Sequence, residues 1–374
     1  MVGPLGIGVV GAGNISGEYL ETLSRMPNVR PLQVATRNPE HARAAVAQFP
    51  GARATSLTEL YASDELDLVL NLTTPEAHLE VSLAAIAAGK HVYGEKPLAM
   101  TTAEARSILA AASAQGVRVG CAPDTVLGTG IQTARVCVDK GEIGTPIAAS
   151  AFMTTPGHER WHPDPEFYYR PGGGPILDMG PYYLTALVLI LGPVRRVTGL
   201  SVTPRRTRTI GSGPRAGTTF PVDVATHVTG VLEHEGGALS TLMMSFDVWQ
   251  STLPKIEVYG TEGTLSVPDP NSFTGDVRVS HDGDSAWRTL PVLGGYAGGA
   301  RGIGIADMAY AIATDGAHRA SADLAYHVLD VMESLLAATE SGTARRVDSG
   351  FRRPEAVPAN AQPEIPQPEI PQPR

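Results

Sequence analysis

The sequence predicts two domains of different class. A doubly wound, parallel α/β domain spans 1–123, and an α+β domain with a mostly antiparallel sheet spans 124–352. Three observations carry this. Residues 5–120 alternate short apolar strands with helix-spaced segments, the signature of βαβ units. After Asp124 the rhythm gives way to strands bounded by turn residues. The length, 374 residues, suits two domains.

The elements follow in order. "LGIGVVGAG" is a short apolar strand ending in glycines, and "ISGEYLETLSRM" has helical spacing. "RPLQVAT" is a strand. "PEHARAAVAQF" is a helix with Pro39 near its start. "LDLVLNLTTP" is a buried strand, "EAHLEVSLAAIAAG" a helix closed by Gly89, and "KHVYGEKP" another strand. "TTAEARSILAAASAQG" opens on a threonine cap, ends at Gly116 and leads into the strand "VRVGCAP". A helix, "GIQTARVCVDKGEIG", and a strand, "PIAASAFMTT", open the second domain. An irregular stretch rich in proline and aromatics comes next, then the helix "ILDMGPYYLTALVLILG". Strands dominate 194–293, and an amphipathic helix, "ADLAYHVLDVMESLLAATESG", closes the domain. Residues 353–374 are proline-rich, repeat "PEIPQ", and are expected to be disordered or polyproline-like.

Composition narrows the function. Hydrophobic residues make up 43% of the chain, enough for a sizeable core. A net charge of −9 gives no general electrostatic reason to bind nucleic acid or an anionic membrane. Cys121 and Cys137, the only cysteines, support neither a disulfide framework nor a zinc cluster and fit a reducing compartment. The first residues lack a basic leader, and "YYLTALVLILG" is too short to span a bilayer. A soluble cytoplasmic protein without a metal centre is expected.

The turn Gly11-Ala12-Gly13-Asn14-Ile15-Ser16 lies between the first strand and the first helix. Glycines there permit a tight turn and let backbone N–H groups approach a pyrophosphate, which the helix N-terminus favours. A serine stands where a third glycine is usual. The context predicts dinucleotide binding by Gly11, Gly13, Asn14 and Ile15. An NAD site commonly ends its second strand in an acid that bonds the ribose 2′-hydroxyl. Here the strand ends in Thr36-Arg37, a hydroxyl and a guanidinium suited to a 2′-phosphate, so NADP is favoured over NAD. The plainer alternative is that Arg37 stacks on adenine and NAD is used.

Lys96 follows the strand "HVYG" at the edge where ligands lie in an open parallel sheet. The positive nicotinamide and partial burial would lower its pKa toward values useful in proton transfer. Glu95 is placed to hold a ribose hydroxyl or the lysine, and Pro97 stiffens the exit.

Three stretches, "GVVGAGNI", "TTPEAHLEVSLAAIAAGKHVYGEKPLA" and "GGGPILDMG", resemble the Gfo/Idh/MocA family of oxidoreductases, over roughly residues 5–345. The resemblance implies a Rossmann domain, then a domain whose open sheet often forms an oligomer interface, hence a homo-oligomer, dimer or tetramer. It implies NAD(P)-dependent oxidation or reduction at a hydroxyl or carbonyl of a sugar, cyclitol or related polyol. Lys96 matches the family's EKP lysine, the catalytic or proton-relay residue. Thr74-Pro75 and His78 match the segment that lies against the cofactor, and Thr73 is placed with them. The family often has an Asp and a His four apart on one helix. Asp178 matches the Asp, while Tyr182 stands at the His position.

The proton donor therefore has several candidates: Tyr182, Lys96 alone, or a histidine of "GHERWHPDP", His158 or His162. The expected catalytic set is Lys96, Asp178, Tyr182 and His162. Trp161, His162 and Asp178 would meet the substrate, as aromatics and carboxylates do in sugar sites, with Asp124 after the last strand of the first domain. "PRRTRTIGSGPR" is a local basic run, read as a solvated loop, as a cover for a neighbouring subunit's site or as the partner of an anionic substrate group. Two other functions fit the same motifs: a glycoside-cleaving or epimerising enzyme that recycles a bound cofactor, and a non-catalytic sensor.

Overall fold

In the computed structural model of the protein, residues 4–361 are described apart from 48, 50 and the side chain at 32. The chain forms two compact units. One comprises Met1–Leu127 and Tyr296–Ala322, the other Gly128–Gly295 and Asp323–Ala359.

The first unit opens with β1 (Leu5–Val10), α1 (Ser16–Ser24), β2 (Val29–Ala35), α2 (Pro39–Val46), β3 (Arg53–Ala54) and α3 (Leu57–Ala62). It continues with β4 (Leu68–Asn71), α4 (His78–Ala87), β5 (His91–Gly94), α5 (Thr102–Gln115) and β6 (Val119–Cys121). Every strand pair is parallel, in the order β3-β2-β1-β4-β5-β6. The order reverses between β1 and β4, the switch point beside which open α/β sheets bind ligands. The central strands are largely apolar, as expected of a parallel sheet covered on both faces; Ile7, Val9, Leu68, Leu70 and Val92 are all buried. The helix ends follow the expected chemistry at α5: Thr101 caps its start and Gly116, at φ 66°, its end.

The second unit begins with α6 (Thr129–Asp139), β7 (Pro146–Thr154), α7 (Gly174–Leu191), β8 (Val194–Val202), β9 (Thr207–Thr209) and β10 (Thr219–Pro221). Then come β11 (His227–His234), β12 (Leu239–Ser245), β13 (Ile256–Gly260), β14 (Gly263–Val267), β15 (Arg278–His281) and β16 (Arg288–Thr289). The chain next returns to the first unit as α8 (Ile303–Ala313). It ends in the second with α9 (Ala322–Ser341) and β17 (Arg345–Arg346). Nine strands form one sheet, β16-β15-β14-β13-β7-β12-β11-β8-β17, antiparallel except between β7 and β12. One face is packed: α7 lies on β7, β11 and β12, and Leu335 of α9 sits over Gly199 and Gly230. The other face carries Leu200, Val231 and Leu239, all exposed. Their cross-strand register puts them on one side of β8, β11 and β12.

Four expectations change. The helix α7 as a whole is long and apolar enough, by length and composition, to cross a bilayer; 78% of it is buried inside the protein, so it is a core helix. Residues 296–322, expected in the second domain, belong to the first. Cys121 N–H donates to Ala320 O, Tyr296 N–H to Leu127 O, and Gly120 bridges Ser321. Residues 353–361, expected in a disordered tail, are held down. Arg353 donates to the Leu189 and Ile190 carbonyls at the end of α7, and buried Val357 donates its N–H to Gln132. The rest of that tail lies outside the described residues. The basic run at 204–215, expected as a solvated loop, is largely exposed but contains β9, which pairs with β10, and its Arg208 is buried.

Candidate active site

The glycine turn is shaped by close approach. Gly11 has φ 102°, and a Cβ there would lie 2.6 Å from the Leu72 carbonyl oxygen at the end of β4. Around Gly13 there is open space, with nothing within 4 Å of an added Cβ. The backbone is therefore bare where α1 presents its N-terminal N–H groups, which fits a pyrophosphate. Ser16, in the third glycine's place, is buried and donates its hydroxyl to Gly13 O at 2.8 Å, so it closes the turn from within. Asn14 is exposed and Ile15 half-buried at the entrance. Beyond β2, the Thr36 hydroxyl donates to the Asn38 carbonyl and Arg37 is exposed. Asn38 caps α2 by accepting from Glu40 N–H at 3.1 Å.

The ends of β4 and β5 are tied together by side chains. Asn71 accepts from the N–H and the hydroxyl of Thr73 and donates to His78 O. Thr74 precedes the short helical turn Pro75–Ala77. His78 is buried, its Nδ1 2.7 Å from Pro97 O and its Nε2 3.1 Å from Thr73 O. Burial lowers its pKa. His78, expected beside the cofactor, joins the Thr73–Pro75 turn to the segment after Lys96. Lys96 itself is half-buried, one residue past Glu95. Glu95 accepts from the Tyr19 hydroxyl at 2.7 Å and from Lys96 N–H at 3.0 Å. Tyr19 is fully buried on α1; burial first, then the Glu95 charge, raises its pKa, so it remains a donor.

Asp124, expected at the substrate, is fully buried. Its carboxylate accepts from Gly302 N–H at 2.7 Å and Gly304 N–H at 3.2 Å and so caps α8. Burial pushes its pKa up to about 6.

In the second unit the loop before α7 brings an imidazole to a carboxylate. His158 Nε2 lies 3.0 Å from Asp178 on α7, and both side chains are largely buried. His158 Nδ1 is buried without a hydrogen-bond partner. Its ring packs against Trp161, Tyr168 and Phe246. The turn is held from behind. His158 N–H donates to the Tyr169 oxygen, and the Tyr169 hydroxyl donates to Glu159. Arg208 then bridges Glu159 and Asp247 at 2.9 and 2.6 Å, all three side chains being nine-tenths or more buried. Gly157, at φ 113°, leaves no room for a side chain, since a Cβ would meet the Glu159 carboxylate at 2.2 Å.

The imidazole beside Asp178 is therefore that of His158, not the expected His162. His162 accepts from Asp164 N–H within its own loop and stacks edge-on with Trp161, Phe167 and Tyr168. Trp161 is 58% exposed, free to meet a ligand. Tyr182 is buried one turn along α7 from Asp178. Two contributors were not singled out in the sequence. Arg208 lies inside the basic run, but its burial depends on acids far along the chain. Tyr19 carries only the signal of a phenol on the inner face of the first helix.

A parallel sheet in this order, with a bare glycine turn at its switch point, defines a dinucleotide-binding domain. Residues 5–122 match the model of the oxidoreductase family with an NAD-binding Rossmann fold, and 131–266 match the GFO/IDH/MocA C-terminal domain. The chain belongs to the Gfo/Idh/MocA family. It is 31% identical to the 1,5-anhydro-D-fructose reductase of Ensifer adhaerens over 266 residues, 69% of this chain and 74% of that one. It is 33% identical to the dTDP-3,4-didehydro-2,6-dideoxy-alpha-D-glucose 3-reductase of Streptomyces violaceoruber over 196 residues, 52% of this chain and 57% of that one. A solved levoglucosan dehydrogenase, in complex with NADH and L-sorbose, shares the fold with a TM-score of 0.79 at 20% identity, covering 93% of this chain and all of that one.

Proposed function

We propose that this protein is an NAD(P)-dependent dehydrogenase or reductase acting on a hydroxyl or carbonyl carbon of a sugar or related polyol. The observation that carries it is the His158–Asp178 pair, an imidazole oriented by a carboxylate, in a chain that also holds Lys96 at a strand end of a dinucleotide-binding sheet. The nicotinamide, when bound, exchanges hydride with the substrate carbon. Gly11 and Gly13 take the pyrophosphate, and Thr36 and Arg37 take the adenosine ribose, with NADP preferred. Lys96 handles the hydroxyl proton, Glu95 fixes the lysine's turn, and His158, held by Asp178, is a second candidate for proton transfer. Relatives act on an anhydro sugar and on a nucleotide-linked sugar, which supports this substrate range. The exposed apolar face of the nine-stranded sheet supports assembly into a homo-oligomer.

The test is turnover of a polyol and sugar panel followed at 340 nm, for wild type and Lys96→Ala. Loss of several orders of magnitude in kcat, on the order of 10³-fold, with cofactor still bound is expected. Wild-type rates in Lys96→Ala would remove the lysine from the mechanism. A tightly bound cofactor that turns substrate over without net change at 340 nm would move the protein to the cofactor-recycling class.

A further inference from the structure

We propose that a cavity of about 430 Å³ beside the 158–160 turn binds a phosphoryl group of the substrate. This rests on the sugar-oxidoreductase function proposed above and narrows its substrate class to phosphorylated or nucleotide-linked sugars.

The cavity is lined by Glu159, Arg160, Arg205, Thr207, Arg208 and Thr209, among others. The guanidiniums of Arg160 and Arg205 thus meet at one space in a chain whose net charge is −9, while Arg208 and Glu159 contribute to its wall as a buried ion pair. Arg208 is committed to Glu159 and Asp247 through its terminal nitrogens, yet its Nε is buried without a partner. Among the described residues, Arg160 and Arg205 have no carboxylate at ion-pair distance. Both lie over the Trp249 ring, 4.7 and 5.6 Å from its centroid. Two like charges gathered on one indole repel, and the cluster gains most from an anion placed between them.

The ligand's chemistry follows from the donors. Guanidinium forks and threonine hydroxyls match an oxyanion with several oxygens. The volume exceeds a lone ion and admits a group that continues into a larger molecule. Trp249 is 64% exposed and offers a ring face for stacking. The cavity also adjoins the proton-handling pair: Glu159 takes the Tyr169 hydroxyl, and the Tyr169 oxygen takes His158 N–H.

The experiment is calorimetric titration of the full-length protein, its dinucleotide site first saturated with NADP, at fixed ionic strength. Inorganic pyrophosphate is the first probe, with thymidine diphosphate and glucose 1-phosphate as further arms. Binding of pyrophosphate is expected, weakened roughly ten-fold or more in Arg205→Ala and in Arg160→Ala and unchanged in Arg37→Ala. Tighter binding of thymidine diphosphate assigns a nucleotide-linked sugar; tighter binding of glucose 1-phosphate assigns a sugar phosphate. No binding, equal binding in the Arg160 and Arg205 variants, or loss only in Arg37→Ala overturns the proposal. The assay reads no turnover, so its failure is separate from failure of the enzyme function. Anion binding through Arg205 in a protein that oxidises no sugar would sink only the latter.

Discussion

His158 meets Asp178 across twenty residues of chain, imidazole Nε2 to carboxylate oxygen at 3.0 Å, while the other ring nitrogen is buried with no partner. A carboxylate at Nε2 favours the tautomer with its proton there and leaves Nδ1 as the acceptor. Asp178→Asn lets an amide donate to Nε2 and reverses that preference. The expected result is a loss of about 10²–10⁴-fold in kcat, with cofactor affinity unchanged by fluorescence titration. His158→Gln should lose as much, and the double variant little more, because the two act as a unit. Additive losses would mean that they act separately.

Tyr19 links the first helix to the lysine turn through Glu95. Tyr19→Phe removes the donor and leaves a carboxylate oxygen short of one hydrogen bond inside the fold. Stability should fall by about 1–3 kcal/mol in a denaturant titration. The pH profile of kcat should also move, since Glu95 accepts from the Lys96 backbone. A pure stability loss with the wild-type profile would confine Tyr19 to packing.

Arg37 is exposed after β2, where the sequence offers no acid. The expected wild type has a higher kcat/KM with NADP than with NAD. Arg37→Ala should lower the NADP value at least ten-fold and change the NAD value little. A wild-type preference for NAD would overturn the cofactor assignment.

Two buried groups make opposite pH terms, one in each unit. Asp124 has its pKa raised by burial to about 6, so its folded form holds a proton that the unfolded chain releases near pH 4. Its stabilisation is full below pH 4 and is lost as pH rises to 6. His327 has its pKa lowered by burial to about 4, and its contribution is full above pH 6.5 and lost as pH falls to 4. Each spans on the order of 3 kcal/mol. Differences between wild type and Asp124→Asn, and between wild type and His327→Gln, should slope in opposite directions from pH 4 to 6.5. Parallel slopes would show that one of the two is solvated.

Much of the first unit was legible because its strands are apolar on both faces and its turns hold glycine where the backbone needs it. Gly11 is forced by the approach of Leu72, and the motif records that contact. Lys96 was legible for the same reason, as a charge at a strand end. The loop at 156–173 has no period, so nothing local separates His158 from His162; the choice is made by α7, which brings Asp178 to one of them. Arg208 reads as surface because the two acids that bury it lie 49 and 39 residues away. The helix α8 is built of small apolar residues buried on nearly all sides and shows no stripe. The early tail looked proline-rich and polar, yet Arg353 finds two helix-end carbonyls and Val357 a buried glutamine.

The split of the first unit has a consequence for how the protein is made. Its edge strand β6 and the Asp124 carboxylate are completed by Gly302–Ser321, which leaves the ribosome only after nearly all of the second unit's sheet. At cellular rates the intervening chain takes on the order of ten seconds or more to synthesise. Until then the amino-terminal half carries an unfinished edge and an acid without the helix it caps. Nascent chains therefore mature in the reverse of the usual order: the second half has nearly all its sheet before the first half has its last piece. Truncation after Leu127 would not release a self-sufficient nucleotide-binding module.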